Sequence, residues 1–416
     1  MGVSKQYGMK KAIYILASLF TAAAVSSCTV TDDLGDFGYE KGEFAADGDY
    51  RDGVGGEGAG DPSDPSGSGN SQAGRVTAGE WNDLDHWTFW SALMTGEDYS
   101  EMSKYWGFWT NNRVAFRVSD KEGKPLAGVK ISLERNDAAI WSTRTDNRGF
   151  ADAWIGLSQK EECDPEKLVV VVNGVRWDGG APVISTWNSQ GEAQINEIVL
   201  DQKSSVSQKA DIAFIVDATG SMGDEIAFLK DDLMDILKKA ESLQNGVTFR
   251  TAALFYRDVD DEYLTRISNF TTDFSTTTAF ISKQDANGGG DYPEAVHTAL
   301  EEGVQKLSWD EGAKTRIAFM LLDAPAHHED GVLESLHELI PAYAKMGIKL
   351  IPIAASGVDK NTEFMLRFFA VATGGTYVFI TNDSGIGNDH IEATVGEYEV
   401  EALNALIVRL IKKYTD

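Results

Sequence analysis

The sequence predicts a multidomain chain in which an all-β sandwich is followed by an α/β doubly wound open sheet. Two patterns carry this expectation. From Lys209 onward, nearly continuous apolar runs of strand length alternate with segments whose apolar residues recur at helical spacing, as in a mostly parallel sheet covered on both faces. Between about residues 112 and 200, short apolar segments are instead interrupted by Gly, Pro, Asn and Asp, as in antiparallel strands joined by turns. The chain has 416 residues, 42% of them hydrophobic, which is enough for two or three cores. Its formal net charge of -28 argues against nucleic acid or anionic lipid as the main partner, because phosphates would be repelled. Cations remain compatible with it. The two cysteines, Cys28 and Cys163, have no His or Cys company and supply no zinc framework.

In chain order, residues 1–27 read as a lipoprotein signal peptide. Lys5, Lys10 and Lys11 precede an apolar run from Ala12 to Val25 that is too short for a comfortable bilayer span. The stretch Val25-Ser26-Ser27-Cys28 resembles a bacterial lipobox. The resemblance implies lipidation of Cys28, with palmitate among the acyl chains, and an exported protein anchored to the bacterial envelope at the outer membrane. Asp32-Asp33 resemble the acidic export tag of surface lipoproteins. An ordinary signal peptide containing a cysteine is the alternative. Residues 28–75, rich in Gly, Asp, Ser and Pro, are expected to form a disordered acidic tether. Residues 76–111 carry Trp81, Trp87, Trp90, Trp106 and Trp109, expected to pack on the sandwich rather than to line a sugar platform.

The sandwich itself is assigned to residues 112–205, with strands around Val114–Val118, Ile131–Leu133, Leu168–Val172 and Glu197–Leu200. The stretches Asp120 to Val129 (D-x-x-G-x-P-L-x-G-V) and Thr145 to Ala151 (T-D-x-x-G-x-A) resemble carboxypeptidase-regulatory-like or Ig-like modules. That resemblance implies a spacer without chemistry of its own. Cys163 lies among Glu161, Glu162 and Asp164, whose charges would raise its pKa and blunt its reactivity.

Residues 208–416 form the α/β part. Ile212–Val216, Thr251–Tyr256, Ile317–Leu322 and Lys349–Ala355 read as buried strands. Apolar stripes at Ile226, Leu229, Leu233 and Ile236, at Val296, Leu300, Val304 and Leu307, and at Leu333, Leu336, Ile340 and Tyr343 read as helices that pack on the sheet. Phe364–Val371, Thr376–Ile380 and Ala402–Ile411 add a helix, a strand and a final helix. Pro352 is the local misfit, tolerable at a bulge or near an edge.

Open α/β sheets bind ligands at the carboxyl ends of their strands. The residues placed there are Asp217, Thr219 and Ser221 after the first strand, Asp323 after the strand ending at Leu322, and a glycine-rich loop leading to Asp291 and Glu294. Such a mixture of hydroxyl and carboxylate oxygens suits a hard cation such as Mg²⁺. The arrangement resembles the von Willebrand factor A-type (vWA) domain and its metal-ion-dependent adhesion site (MIDAS) over residues 208–416. The family's D-x-S-x-S appears as Asp217, Thr219 and Ser221, and its later aspartate as Asp323. Its intervening threonine aligns with Asp291, which is a departure. The resemblance implies Mg²⁺, or Mn²⁺ or Ca²⁺, held by Asp217, Thr219, Ser221, Asp291 and Asp323, and a protein ligand on the metal-bearing face. Read from the residues alone, Asp217 and Ser221 can instead cap the helix that begins near Gly223, and Asp291 can form a capping box with Glu294. His327-His328 and the charged run Tyr256 to Glu262 read as surface at the rim.

The expected function is that of a membrane-anchored, surface-exposed binding or adhesion protein, not an enzyme. An envelope scaffold with a structural metal is one alternative. A metal-dependent hydrolase is another, disfavoured because no Ser-His-Asp order, HExxH, Walker loop or paired-carboxylate motif stands out. With Asp291 as a third carboxylate, the site would retain its cation more tightly and attract an incoming carboxylate less.

Overall fold

Alternating and 3.6-residue apolar periods resolve into strands and helices in a computed structural model that describes residues 76–187, 191–204, 206–243, 246–382 and 390–416. The expected signal peptide, Cys28 and the tether to residue 75 lie outside the described residues. In chain order the elements are β1 (Thr77–Trp81), α1 (Trp87–Thr95), α2 (Glu97–Trp106), β2 (Asn112–Asp120), β3 (Lys130–Arg135), β4 (Ala138–Arg144), β5 (Phe150–Trp154), β6 (Leu168–Val172), β7 (Val175–Arg176), β8 (Ser185–Thr186) and β9 (Ile195–Leu200). The α/β part follows with β10 (Ser207–Asp217), α3 (Gly223–Leu243), β11 (Thr248–Tyr256), β12 (Thr265–Thr271), α4 (Phe274–Ile281), α5 (Val296–Gln305), β13 (Ala313–Leu322), α6 (Asp330–Met346), β14 (Ile348–Ala354), α7 (Lys360–Thr373), β15 (Tyr377–Ile380), β16 (Glu401–Ala402) and α8 (Leu403–Thr415).

The large sheet has the order β12-β11-β10-β13-β14-β15-β1-β16. Its five inner strands from β11 to β15 run parallel, whereas β12, β1 and β16 pair antiparallel to their neighbours. Alternate strand residues point to opposite faces, so Ile212, Phe214 and Val216 meet α3 and α8 on one face. Ala213 and Ile215 meet the core shared by α5, α6 and α7 on the other. Neither a bulge nor an edge accommodates Pro352, because β14 lies inside the sheet. Leu350 N–H donates to Thr373 Oγ1 at 3.0 Å, so the nitrogen two residues on faces the same way, towards β15. There the ladder begins only at Ile353, and no donor is needed. Gly375 allows this corner, since a Cβ there would sit 1.8 Å from Leu350 O.

Two smaller sheets face each other in the sandwich. One holds β5, β2 and β8 with β9 added parallel to β2, and the other has the order β4-β3-β6-β7. Their core is not self-contained. Phe116, Leu133 and Trp154 belong to the same buried apolar cluster as Leu336, Phe364 and Phe368 of the α/β part, and Trp154 Nε1 donates to Ala372 O of α7 at 3.3 Å. The expected spacer is therefore packed directly onto a helical layer. Cys163 is half-buried, and its thiol is pushed up first by burial and only secondarily by Glu161 and Asp164.

Residues 76–111 do more than pack on the sandwich, which corrects their expected placement. β1 enters the large sheet between β15 and β16, while α1 and α2 wedge aromatic side chains against α7. Phe108 stacks on Phe368 at 4.0 Å, Trp90 lies parallel to Phe364 at 6.5 Å, and Trp106 Nε1 donates to Asn361 at 2.9 Å. At the centre is Arg367 of α7, which is fully buried. It donates to both carboxylate oxygens of Asp83, at 3.0 and 2.5 Å, and to the Tyr99 hydroxyl and Thr394 O. Glu363 stands 3.7 Å away.

Removing one member of a buried pair strands the other charge. Asp83→Ala should therefore lower unfolding stability by about 3–5 kcal/mol, read as a shifted urea midpoint. A change within about 0.5 kcal/mol, as for an ordinary surface site, would contradict the assigned role.

Candidate metal centre

Parallel pairing brings the ends of neighbouring strands to one edge. Asp217, the last residue of β10, is in register with Tyr256, the last of β11, and Val216 with Leu321 of β13, so Asp323 follows beside it. Asp217 is fully buried and Asp323 nearly so. Thr219 N–H and Oγ1–H donate to Asp217 Oδ1 at 2.9 and 2.7 Å, the buried Tyr256 hydroxyl also acts on this carboxyl and draws its pKa down, and Oδ2 makes no hydrogen bond of full geometry. Asp323 Oδ1 is likewise unpartnered, while the Ser221 hydroxyl acts on the same carboxyl and draws its pKa down. Asp217 holds Thr219 rather than a helix end, and Thr219, at the start of the short turn Gly220–Met222 that precedes α3, makes no side-chain cap.

The glycine-rich loop is pinned across this edge by backbone bonds, Asn287 N–H to Ala218 O at 3.0 Å and Gly220 N–H to Gly288 O at 3.1 Å. Gly289 has φ +76°, and a Cβ on it would lie 3.1 Å from Glu294 Oε1 and 3.3 Å from Thr219 Cβ. The loop thus brings Glu294 against Thr219. Glu294 N–H donates to Pro325 O at 2.9 Å, and the residue forms a parallel bridge with Ala326, which ties it to the loop after Asp323. Its side chain is buried and Oε2 has no partner. Asp291, expected as ligand or cap, is exposed three residues earlier. It caps nothing, since the N-cap of α5 is Ala295. The third carboxylate of the edge is Glu294.

Crowding governs the protonation of these groups. Burial, reinforced by Asp323, pushes Asp217 up to about 7, and burial with Asp217, Asp258, Asp323 and Asp261 pushes Glu294 up to about 9. Asp323 is also raised, chiefly by burial. Glu225, in the first turn of α3, accepts from Ser356 N–H and Oγ–H at 3.3 and 3.2 Å, and burial raises it too. On the rim, His327 Nε2 lies 2.7 Å from Asp258 Oδ1, and Asp261 accepts from Asp258 N–H and Gly289 N–H. His328 instead stacks on Tyr105 at 3.6 Å. Arg257 is spent on backbone carbonyls, donating to Ala218 O and Asp285 O.

Among the described residues, no three His, Cys, Asp or Glu side chains close around a single point as a metal cage. The donor set nonetheless fits a hard cation that keeps several waters, because Asp217 and Asp323 offer unpartnered buried oxygens beside the hydroxyls of Thr219 and Ser221. Residues 211–351 match the family model described as von Willebrand factor A domain, so this part of the chain, about a third of it, is a vWA domain. The chain is 31% identical over 125 residues to an ariadne-like RING finger protein of Acanthamoeba polyphaga mimivirus, covering 30% of this chain and 12% of that protein. It is 28% identical over 160 residues to an alpha-protein kinase of Dictyostelium discoideum, covering 38% of this chain and 25% of that one. It therefore spans a quarter or less of either relative.

The raised carboxyls set a pH dependence. Asp217 and Glu294 hold protons in the folded state that the unfolded chain releases near pH 4 to 5. Their contribution is complete below the unfolded values and is lost as pH rises through about 7 and about 9. In chelator, the Tm of the protein should fall between pH 5 and 9, and Mg²⁺ should restore most of the loss at pH 8. A Tm that is flat over this range in chelator would contradict the assigned burial.

Proposed function

We propose that the protein is an exported, lipid-anchored binding protein whose vWA domain uses a divalent-cation site to engage a protein partner. The observation that carries this reading is the pair of buried carboxylates, Asp217 and Asp323, with unpartnered oxygens beside two hydroxyls at the open edge of the sheet. Asp217, Thr219, Ser221 and Asp323 hold the cation in this proposal, and Glu294 takes the place first assigned to Asp291. A bound Mg²⁺, Mn²⁺ or Ca²⁺ would neutralise the clustered charge and offer a position for an oxygen from the partner. The third carboxylate strengthens cation retention and weakens attraction for a partner's carboxylate. A neutral oxygen or a basic surface is the better match, or a cation whose role is mainly structural. Binding rather than hydrolysis is supported by Arg257, which is committed to the backbone and not free to clamp a substrate. Anchoring rests on Cys28 and the apolar segment before it. No described helix is long and apolar enough to cross a membrane.

Asp217→Ala should abolish Mg²⁺ binding by calorimetry with unchanged far-UV circular dichroism. Glu294→Gln should weaken binding about fivefold or more, since it removes a charge worth about 1 kcal/mol or more at a few ångströms. Asp291→Ala should leave affinity within twofold. If Asp291→Ala cost as much as Asp217→Ala, the reassignment to Glu294 would be wrong. Cys28→Ala should shift the exported protein from the membrane to the soluble fraction; sedimentation with membranes after a salt wash would refute the anchor.

A further inference from the structure

At the opposite edge of the large sheet, where β14 begins and α7 ends, a cavity of about 280 Å³ lies between the α/β part and the outer face of the β5-β2-β9 sheet. Its wall mixes charge and apolar surface, with Arg113, Arg144, Arg148 and Lys349 facing Asp85, Asp146, Asp152 and Glu192. These charges do not cancel one by one. Asp152 is taken by Arg113 at 2.7 Å, Glu192 accepts from Trp87 N–H and Thr88, and Asp85 pairs with Lys413 at 3.6 Å. Arg144 is engaged by Glu311 and Lys345 O.

Two cations converge on one acid. Lys349 Nζ and Arg148 Nη2 both stand 3.6 Å from the same oxygen, Asp146 Oδ2. Asp146 Oδ1 is already used by the N–H groups of Arg148 and Phe150, each at 2.9 Å. Lys349 has one further acceptor, Gly374 O at 2.8 Å, and Arg148 Nε is buried with no acceptor. A buried guanidinium nitrogen without an acceptor is costly, and Lys349 and Arg148 share a single carboxylate oxygen at 3.6 Å each, while Glu192, held by neutral donors, balances the charge elsewhere on the wall. Beside them the wall turns apolar, with Phe150, Ala115 and Ile195 on one sheet face.

We propose that this cavity binds a small organic carboxylate, its head between Arg148 and Lys349 and its apolar body against Phe150, Ala115 and Ile195. The head supplies the missing acceptor for Arg148 and a second counter-charge for Lys349, which is the pairing expected of charge-assisted bonds. Because the walls come from both the sandwich and the α/β part, an occupant also fastens the two together. The site is independent of the cation centre, which lies at the other edge.

The test titrates the full chain with benzoate at constant ionic strength held with chloride, and runs acetate and inorganic phosphate as heads that lack the apolar body. A saturable rise in Tm with benzoate, confirmed by calorimetry and weakened at least tenfold in Arg148→Gln, supports the proposal. Arg148 is partly exposed, so that variant keeps the fold. Lys349→Met serves as a second variant with the same expected loss. No saturable benzoate effect, or one unchanged in Arg148→Gln, overturns the site. Acetate or phosphate binding as tightly as benzoate overturns the assigned ligand class.

Discussion

The buried guanidinium of Arg367 is the constraint on which the assembled body depends. A charge with no access to water must be matched in place, and the match comes from Asp83, more than 280 residues away in sequence. Satisfying it draws in three separate pieces of chain. Asp83 fixes the turn between β1 and α1, Tyr99 fixes α2, and Thr394 O fixes the segment after residue 390. With that turn in place, Thr77–Trp81 lies where it can pair with β15. The aromatic side chains that follow then fill the space between α7 and the sandwich. One ionic contact thereby sets the position of a strand, two helices and the shared core.

A second constraint of opposite sign acts at the carboxyl edge. The parallel strands must end somewhere, and here β10 ends on Asp217 and β11 on Tyr256, with Asp323 just past the end of β13. Hydrogen bonds from Thr219 to Asp217 lower part of the cost, but burial and mutual repulsion dominate. Such a site is poised for a cation because its own groups offer no alternative. The amino edge carries the mirror problem, with Lys349 and Arg148 sharing one oxygen of Asp146. The sheet is thus short of positive charge at its carboxyl end and leaves a guanidinium nitrogen without an acceptor at the other, within a chain whose formal net charge is -28.

Periodicity alone determined most strands and helices from Lys209, though not β12 or α4, together with the antiparallel segments before it and the positions of Asp217, Thr219, Ser221 and Asp323 near strand ends. These features are local, because alternation and 3.6-residue spacing state which face a residue takes whatever it later meets. The tertiary structure decided what depends on meeting. β1 has an ordinary strand sequence, and only Arg367 and β15 show that it belongs to the large sheet. The module at 112–205 has the turns of a free-standing sandwich, yet its core continues into α7 because Trp154 and Phe116 find partners there. Asp291 and Glu294 are equally acidic and three residues apart. The choice between them rests on the backbone bridge that holds Glu294 beside Ala326, a contact between loops that no spacing rule encodes. Pairwise contacts across long sequence separations select partners by shape and charge in three dimensions, which is why they had to be seen in the folded chain.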